Sequence, residues 1–128
     1  MPNSLNKILL ADDEPHIRKF ISLMVKSVLP DVEIIEADSH DTALASYKDE
    51  EPNLILLDIN LIGKNGLETL KELKQINPNV KVIMLTSVNS RSVVEEAIKL
   101  KASGYILKGT PLNELKEKFS IITNRIFG

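Results

Sequence analysis

The sequence contains no cysteine and no tryptophan, and aromatic residues make up only 4% of its 128 residues. Without cysteine the chain has no disulfide, no thiol nucleophile and no thiolate metal ligand, which suits a reducing compartment. No apolar run approaches the length that crosses a membrane, and residues 1–7 lack the apolar core of a signal peptide. We therefore expect a cytoplasmic protein with no membrane segment.

The chain also lacks a strong charge of either sign. Lysine and arginine number 16 against 18 aspartate and glutamate residues, and no basic block occurs. These features argue against direct nucleic-acid binding as the main function. A hydrophobic content of 43% and a charged content of 27% are typical of a globular protein. We expect residues 1–128 to form a single domain, with its core at about residues 7–126.

Short apolar segments alternate with helical patterns along the whole chain. The segments that we interpret as strands are residues 8–11, 32–37, 54–57, 80–85 and 105–107. Each strand is followed by apolar residues with a period of about 3.6 residues, which predicts a helix. The predicted buried faces of these helices include Phe20 and Ile98. This alternation predicts an α/β fold with five helices covering a doubly wound, five-stranded parallel sheet. We predict the strand order 2-1-3-4-5, with strand two at an edge because Glu33 and Glu36 interrupt its apolar residues.

Polar residues stand where four of the predicted strands end. Strand one is followed by Asp12 and Asp13, strand three by Asp58, strand four by Thr86, and strand five by Lys108. In an open parallel sheet, ligands bind outside the carboxyl ends of the strands, where the strand order reverses. Strands one and three flank that point in the predicted order. Three carboxylates would then converge in one crevice, beside a hydroxyl and an ammonium group.

Each of these residues also has an ordinary structural explanation. Asp12 and Asp13 could cap the following helix, and Asp58 could be a turn residue. Thr86 could cap the next helix, and Lys108 could be a solvated residue at a strand end. These explanations must hold at four strand ends together, however, and clustered carboxylates repel one another at a low-dielectric sheet edge. A hard divalent cation such as Mg²⁺ would compensate them, whereas no His or Cys there suggests zinc.

A carboxylate mounted on a rigid apolar strand is suited to covalent catalysis. Asp58 follows four consecutive aliphatic residues and could attack a phosphoryl group, forming an aspartyl phosphate. Because the carboxylate and the phosphoryl group are both anionic, the transfer needs a metal ion and a cation. Asp12 and Asp13 would hold Mg²⁺ directly or through water, Lys108 would bind one phosphoryl oxygen, and Thr86 would donate a hydrogen bond to another.

Taken in order, these residues resemble the receiver domain of two-component response regulators, which has the CheY-like fold. The likeness covers essentially the whole chain, and the matching residues are Asp12, Asp13, Asp58, Gly66, Thr86, Tyr105 and Lys108. The resemblance assigns them, in that order, as the acidic pair, the phosphoacceptor, the glycine that closes the next loop, the switch hydroxyl, the aromatic switch and the invariant lysine.

The resemblance also implies partners and a mechanism. A sensor histidine kinase would phosphorylate Asp58, with Mg²⁺ also bound by the backbone carbonyl of Asn60. Thr86 would then move toward the phosphoryl group, and Tyr105 would turn inward. The face formed by helix four, strand five and helix five would change and bind an output domain, an effector protein or a second copy of the chain. The resemblance thus implies a signalling switch that assists its own phosphorylation and dephosphorylation, rather than an enzyme.

Three positions depart from the family pattern. Ile62 stands where many members have proline, so we expect the loop after Asp58 to be set differently. Gly109 stands where many members have a proline with a cis bond, and here we expect a trans bond, or a local rearrangement, between Lys108 and Gly109. A cis bond before a residue other than proline costs about 2.5–4 kcal/mol. Val88 lies two residues after Thr86, where the family tunes dephosphorylation. Because an apolar side chain cannot position a water molecule, we expect slow loss of phosphate.

Gly109, which follows Lys108, and the stretch NGLETL resemble the NarL-type subclass, which carries C-terminal helix-turn-helix domains. We expect no output domain within residues 1–128, so DNA would be bound only through a domain outside them.

Two other functions fit part of this pattern. A phosphatase of the haloacid dehalogenase type also uses an aspartate nucleophile on strand one, but its two aspartates are separated by one residue, whereas Asp12 and Asp13 are adjacent. A pseudo-receiver would act as a scaffold without phosphorylation. The two histidines, His16 and His40, we interpret as surface or helix-cap residues rather than ligands or phosphate carriers.

Overall fold

The computed structural model describes residues 5–128, in which five strands alternate with five helices. Of residues 1–7, which we interpret as lacking a signal peptide, the first four lie outside the described residues. The strands are β1 (Lys7–Ala11), β2 (Glu33–Ala37), β3 (Leu54–Leu57), β4 (Val82–Thr86) and β5 (Gly104–Leu107). The helices are α1 (Pro15–Val28), α2 (His40–Glu50), α3 (Gly66–Ile76), α4 (Arg91–Lys99) and α5 (Leu112–Phe127).

All strand pairs are parallel, and their order is β2-β1-β3-β4-β5. The predicted doubly wound sheet, with β2 at an edge, is therefore confirmed. Two boundaries differ from the prediction in ways that concern the site. Thr86 is the last residue of β4 rather than a residue after it, and Gly66 begins α3 rather than ending a loop.

The sheet separates two apolar layers, and β3 contributes to both. Ile55 and Leu57 pack on the side of α2, α3 and α4, whereas Leu54 and Leu56 pack on the side of α1 and α5. All four side chains have no exposed surface. An uncharged strand of this kind suits burial on both faces of a parallel sheet. The buried strand therefore gives Asp58, the residue that follows it, a rigid support.

Side-chain caps begin three of the helices. Ser39 and Thr42 form a capping box at α2, Asn65 caps α3, and Ser90 caps α4. These caps satisfy main-chain amides that have no partner within the helix, and they define where each loop at this end of the sheet stops.

Some predicted core positions are wrong. Phe20 on α1 is 43% exposed and Ile98 on α4 is 67% exposed, because each lies at the margin of its helix's apolar stripe. The expectation of a trans bond at Lys108–Gly109 is confirmed, since no cis peptide bond occurs among residues 5–128. Within the same residues, none of the helices has the length and apolar character needed to span a bilayer.

Candidate functional site

The polar residues predicted at the strand ends lie side by side at the carboxyl edge of the sheet. Hydrogen bonds of the sheet continue past the strands and hold their main chains. The Asp58 amide donates to the Ala11 carbonyl at 2.9 Å, and the Lys108 amide donates to the Thr86 carbonyl at 2.9 Å. The side chains of Asp12, Asp58 and Thr86 are buried. The sheet therefore fixes the origin of each functional side chain.

Three carboxylates meet between β1 and β3. Asp12, Asp13 and Asp58 each offer an oxygen, and these oxygens all lie within 4.8 Å of one another. Asp12 and Asp58 are only 1% and 2% exposed, whereas Asp13 faces solvent. The predicted convergence is therefore observed. A group of carboxylate oxygens, without histidine or cysteine, suits a hard cation such as Mg²⁺.

Lys108 reaches into this group from the end of β5. Its Nζ donates one hydrogen bond to Asp12 Oδ2 and another, of 2.6 Å, to Asp58 Oδ2. With all groups ionised, three carboxylates and one ammonium group carry a net charge of −2. One lysine therefore compensates only part of the negative charge, and the remainder equals the charge that a divalent cation would neutralise.

One oxygen of the buried carboxylates has no partner within residues 5–128. Asp58 Oδ1 is buried and makes no hydrogen bond, whereas Asp58 Oδ2 is held by Lys108. Both oxygens of Asp12 are used, since its Oδ1 accepts the Glu14 amide at 2.9 Å. An unpaired buried carboxylate oxygen is rare unless a ligand or ion supplies its partner. The carboxylates therefore fit a bound cation and leave an acceptor oxygen on Asp58.

The electrostatics of the site follow from this crowding. Burial raises the pKa of Asp12, and the charge of Asp58 adds to the effect, although the hydrogen bond from Lys108 opposes it. For Lys108, burial acts to lower the pKa, but the hydrogen bonds to Asp12 and Asp58 outweigh it and the pKa is raised. Lys108 is therefore held as a cation.

The two predicted switch residues, Thr86 and Tyr105, contact the loop between β4 and α4. The Thr86 hydroxyl oxygen accepts the Val88 amide at 3.3 Å, and no hydrogen bond joins Thr86 to Asp58. The Tyr105 hydroxyl donates to the Val88 carbonyl at 2.5 Å. Burial raises the pKa of Tyr105, and the negative charge of Asp58 raises it further. Both polar groups of the Val88 main chain are thus held by the predicted switch residues.

The loop between β3 and α3 returns to the main chain of Asp58. A Cβ atom on Gly66 would lie 2.1 Å from the Asp58 carbonyl oxygen, so no larger residue fits there. The Gly66 amide donates to the Ile59 carbonyl at 2.7 Å and closes the loop. Asn60, whose carbonyl was predicted to bind Mg²⁺, is exposed on this loop, and so is Ile62.

Sequence reasoning missed Arg18, which holds the main chain of Asp12 from α1. Its guanidinium donates to the main-chain carbonyl of Asp12 at 2.7 Å and to Glu36 Oε1 at 2.8 Å. The positions of Arg18 and Glu36 in the sequence carried a signal for this contact. Arg18 lies four residues after Glu14, so it projects from the first turn of α1, and Glu36 lies near the end of the adjacent strand.

The interpretation of His40 as a surface or cap residue is wrong, whereas His16 is exposed as expected. His40 is 3% exposed because the first turn of α2 packs against α3. Its spacing carried a signal, since His40, Ala43 and Tyr47 form the buried face of α2 at intervals of three and four residues.

The sequence matches the family model of the response regulator receiver domain over residues 8–120. It is 33% identical over 119 residues to the glycerol metabolism activator of Pseudomonas putida, covering 92% of this chain and 54% of that protein. It is 35% identical over 102 residues to the nitrate/nitrite response regulator protein NarL of Escherichia coli K12, covering 79% of this chain and 47% of NarL. The chain thus spans about half the length of these two relatives.

A relative of similar length and solved structures agree with this match. The chemotaxis protein CheY of Bacillus subtilis is 32% identical over 106 residues, which cover 80% of this chain and 85% of CheY. A LuxR-family DNA-binding response regulator from Staphylococcus aureus aligns with a TM-score of 0.82 and 29% identity, over 94% of this chain and 100% of that chain. A CheY-like receiver domain protein from Methanospirillum hungatei aligns with a TM-score of 0.83 and 28% identity, over 95% of this chain and 96% of that chain.

Proposed function

Since the chain belongs to the response regulator receiver family, which acts in phosphorylation-dependent signalling, we propose that Asp58 accepts a phosphoryl group from a sensor histidine kinase. One observation carries this assignment. Asp58 is buried at the end of β3, with Oδ2 held by Lys108 and Oδ1 unpaired among residues 5–128. The phosphoacceptor thus has one compensated oxygen and one oxygen free to react.

The transfer moves a phosphoryl group from one protein to the other. Asp58 Oδ1 attacks the phosphorus atom, an acyl–phosphate O–P bond forms, and the P–N bond of the kinase phosphohistidine breaks. The electron pair of that bond returns to the imidazole ring. Lys108 then donates to a phosphoryl oxygen as well as to Asp12. Thr86 donates to another oxygen, because its own hydrogen remains available while its oxygen accepts from Val88.

Asp12, Asp13, Asp58 and the main-chain carbonyl of Asn60 would hold Mg²⁺. When bound, this ion supplies positive charge that offsets the repulsion between the carboxylate and the incoming phosphoryl group. The net charge of −2 on the three carboxylates and Lys108 supports this assignment. The exposure of Asp13 leaves one side of the group open to water ligands, which Mg²⁺ usually retains.

Phosphorylation would be transmitted through Thr86 and Tyr105 to the face formed by α4, β5 and α5. Both residues hold the main chain of Val88, so movement of the Thr86 hydroxyl toward the phosphoryl group would release one of these contacts. The phosphoryl group stabilises only the rearranged state and thereby shifts the population toward it. The altered face would bind an output domain, an effector protein or a second copy of the chain. Any DNA binding would reside in an output domain, as suits relatives described as transcriptional regulatory proteins.

Acetyl phosphate with Mg²⁺, followed by intact-mass measurement, tests the proposal. We expect one phosphoryl adduct on the wild-type chain, none on Asp58→Asn, and an unchanged adduct on Asp31→Asn, which alters an exposed acid away from the site. Chelation of Mg²⁺ should abolish the adduct. An adduct that persists in Asp58→Asn would contradict the assignment. Multiple turnover of small phosphate esters would instead support the phosphatase alternative.

A further inference from the structure

His40 is a buried titratable residue that the phosphoryl transfer does not use. Its ring lies between α2 and α3, with 3% of its surface exposed. Nδ1 lies 2.7 Å from Thr69 Oγ1, and Nε2 lies 2.8 Å from Glu72 Oε2. Lys64, on the loop between β3 and α3, lies 3.4 Å from the same Glu72 oxygen. The ring therefore connects the first turn of α2 to the first two turns of α3.

The hydrogen atoms available at this contact show that one particular nitrogen of the His40 ring must carry a hydrogen. Thr69 has one hydroxyl hydrogen, and its oxygen lies 3.0 Å from the Asn65 carbonyl and 2.7 Å from His40 Nδ1. The hydroxyl either donates to Asn65 and accepts from Nδ1–H, or it turns and donates to Nδ1. In both arrangements an ionised Glu72 can only accept, so Nε2 must carry a hydrogen.

The main chain of His40 holds the loop that follows Asp58. The His40 amide donates to the Ile62 carbonyl at 3.0 Å, and the Ile62 amide donates to the Asp38 carbonyl at 3.2 Å. The next residue, Gly63, has a φ of +90°, a conformation that residues other than glycine rarely adopt. With isoleucine at position 62, no proline ring restricts the backbone there. The middle of the loop therefore depends on its contacts with the start of α2.

We propose that His40 is a positioning residue for the loop between Asp58 and α3. Its ring fixes α2 against α3 while its main chain fixes Ile62, so the start of α2 holds both the middle of the loop and its α3 end. The loop carries Asn60, and the proposal therefore rests on the proposed function, in which the Asn60 carbonyl binds Mg²⁺. Without the ring, α3 can shift relative to α2, and the metal site loses preorganisation.

Mg²⁺ affinity and the Mg²⁺ dependence of phosphorylation test this proposal. For His40→Ala we expect the Kd for Mg²⁺ to rise on the order of 10-fold, the lower end of the range for groups that support metal ligands. The rate of Asp58 phosphorylation by acetyl phosphate should fall by a similar factor at low Mg²⁺ and recover at saturating Mg²⁺. His40→Gln, which keeps a donor for Glu72, should restore part of the affinity.

Thr123→Val provides a matched control on α5. It removes a buried hydroxyl that donates to the Phe119 carbonyl at 2.9 Å, and it should lower stability without changing the Mg²⁺ affinity. An equal shift of the Kd in Thr123→Val and His40→Ala would overturn the proposal. Should His40→Ala not fold, Glu72→Gln weakens the same contact from a partly exposed position and should raise the Kd in the same direction.

The ¹⁵N chemical shifts of the His40 ring give an independent measurement. We expect Nε2 to be protonated in the wild-type chain, and a ring protonated only at Nδ1 would overturn the assignment. A wild-type chain that shows the His40-dependent Mg²⁺ affinity but accepts no phosphoryl group would refute the proposed function and leave the positioning role intact. A chain that is phosphorylated with the same Mg²⁺ dependence in every His40 variant would refute only the positioning role.

Discussion

Lys108 Nζ donates a 2.6 Å hydrogen bond to Asp58 Oδ2, across a sequence separation of 50 residues. A second bond from the same ammonium group goes to Asp12 Oδ2. Under the proposed function, the lysine would already lie where it could bind a phosphoryl oxygen. Because Lys108 is shared by two carboxylates, it compensates only part of their negative charge.

Removal of this ammonium group should destabilise the metal-free protein. Lys108→Met leaves Asp12 and Asp58 buried without a cation, and loss of one partner of a buried ion pair costs about 3 kcal/mol. Urea unfolding in the presence of a chelator measures the loss, and Mg²⁺ should restore part of it. Lys99→Met, at an exposed position on α4, is the control. A change equal to that of the control would show that the pair contributes nothing to stability.

Asp12→Asn should have the opposite effect when no metal is present. The pKa of Asp12 is raised above its ordinary value of 3.8, so its contribution to stability is fully present below pH 3.8 and is lost as the pH rises through the folded-state pKa. At neutral pH the charged Asp12 is therefore unfavourable. We therefore expect Asp12→Asn to raise the free energy of unfolding in a chelator.

This gain should shrink as the pH falls toward 3.8. Under the proposed function it should reverse in Mg²⁺, because asparagine offers the ion no carboxylate. Unfolding titrations across pH, with Asp31→Asn as an exposed control, provide the measurement. If Asp12→Asn were less stable than the wild-type chain at neutral pH in a chelator, the upward shift assigned to the pKa of Asp12 would be contradicted.

Gly66→Ala should disturb both stability and phosphorylation. The new Cβ atom would lie 2.1 Å from the Asp58 carbonyl oxygen, so α3 or the end of β3 must move. Overpacking of this kind costs about 3 kcal/mol, and the displaced loop should slow the reaction with acetyl phosphate. Gly109→Ala is the matched control, since its Cβ atom would meet nothing within 4 Å. Equal urea midpoints for the two variants would show that the loop yields without strain.

Val88→Glu should shorten the lifetime of the phosphorylated state several-fold. Val88 lies two residues after Thr86 and is partly buried, and its apolar side chain cannot orient an attacking water molecule. A carboxylate could do so as a general base. Val88→Ile keeps the apolar character and should leave the lifetime unchanged. Decay is measured by intact mass after removal of the phosphodonor, and equal lifetimes in all three chains would exclude a role for this position.

Much of the fold could be predicted because its signals are local. The uninterrupted apolar run of β3 and the glutamates of β2 distinguish a central strand from an edge strand. Phe20 and Ile98 were assigned to the core in error. Periodicity identifies an apolar stripe on a helix, whereas the width of the stripe that is covered depends on the neighbouring elements.

The site divides in the same way. The order of the residues along the chain determined which chemical groups arrive at the carboxyl edge of a parallel sheet: carboxylates after β1 and β3, a hydroxyl on β4 and a lysine after β5. Only the tertiary structure decided that Lys108 bridges Asp12 and Asp58, that Asp58 Oδ1 finds no partner in the described part of the chain, and that His40 turns inward against α3. The physical reason is the sequence distance over which each kind of interaction acts. Strand and helix patterns are set by residues close in sequence, whereas hydrogen bonding and burial depend on partners that only the packing of distant segments brings together.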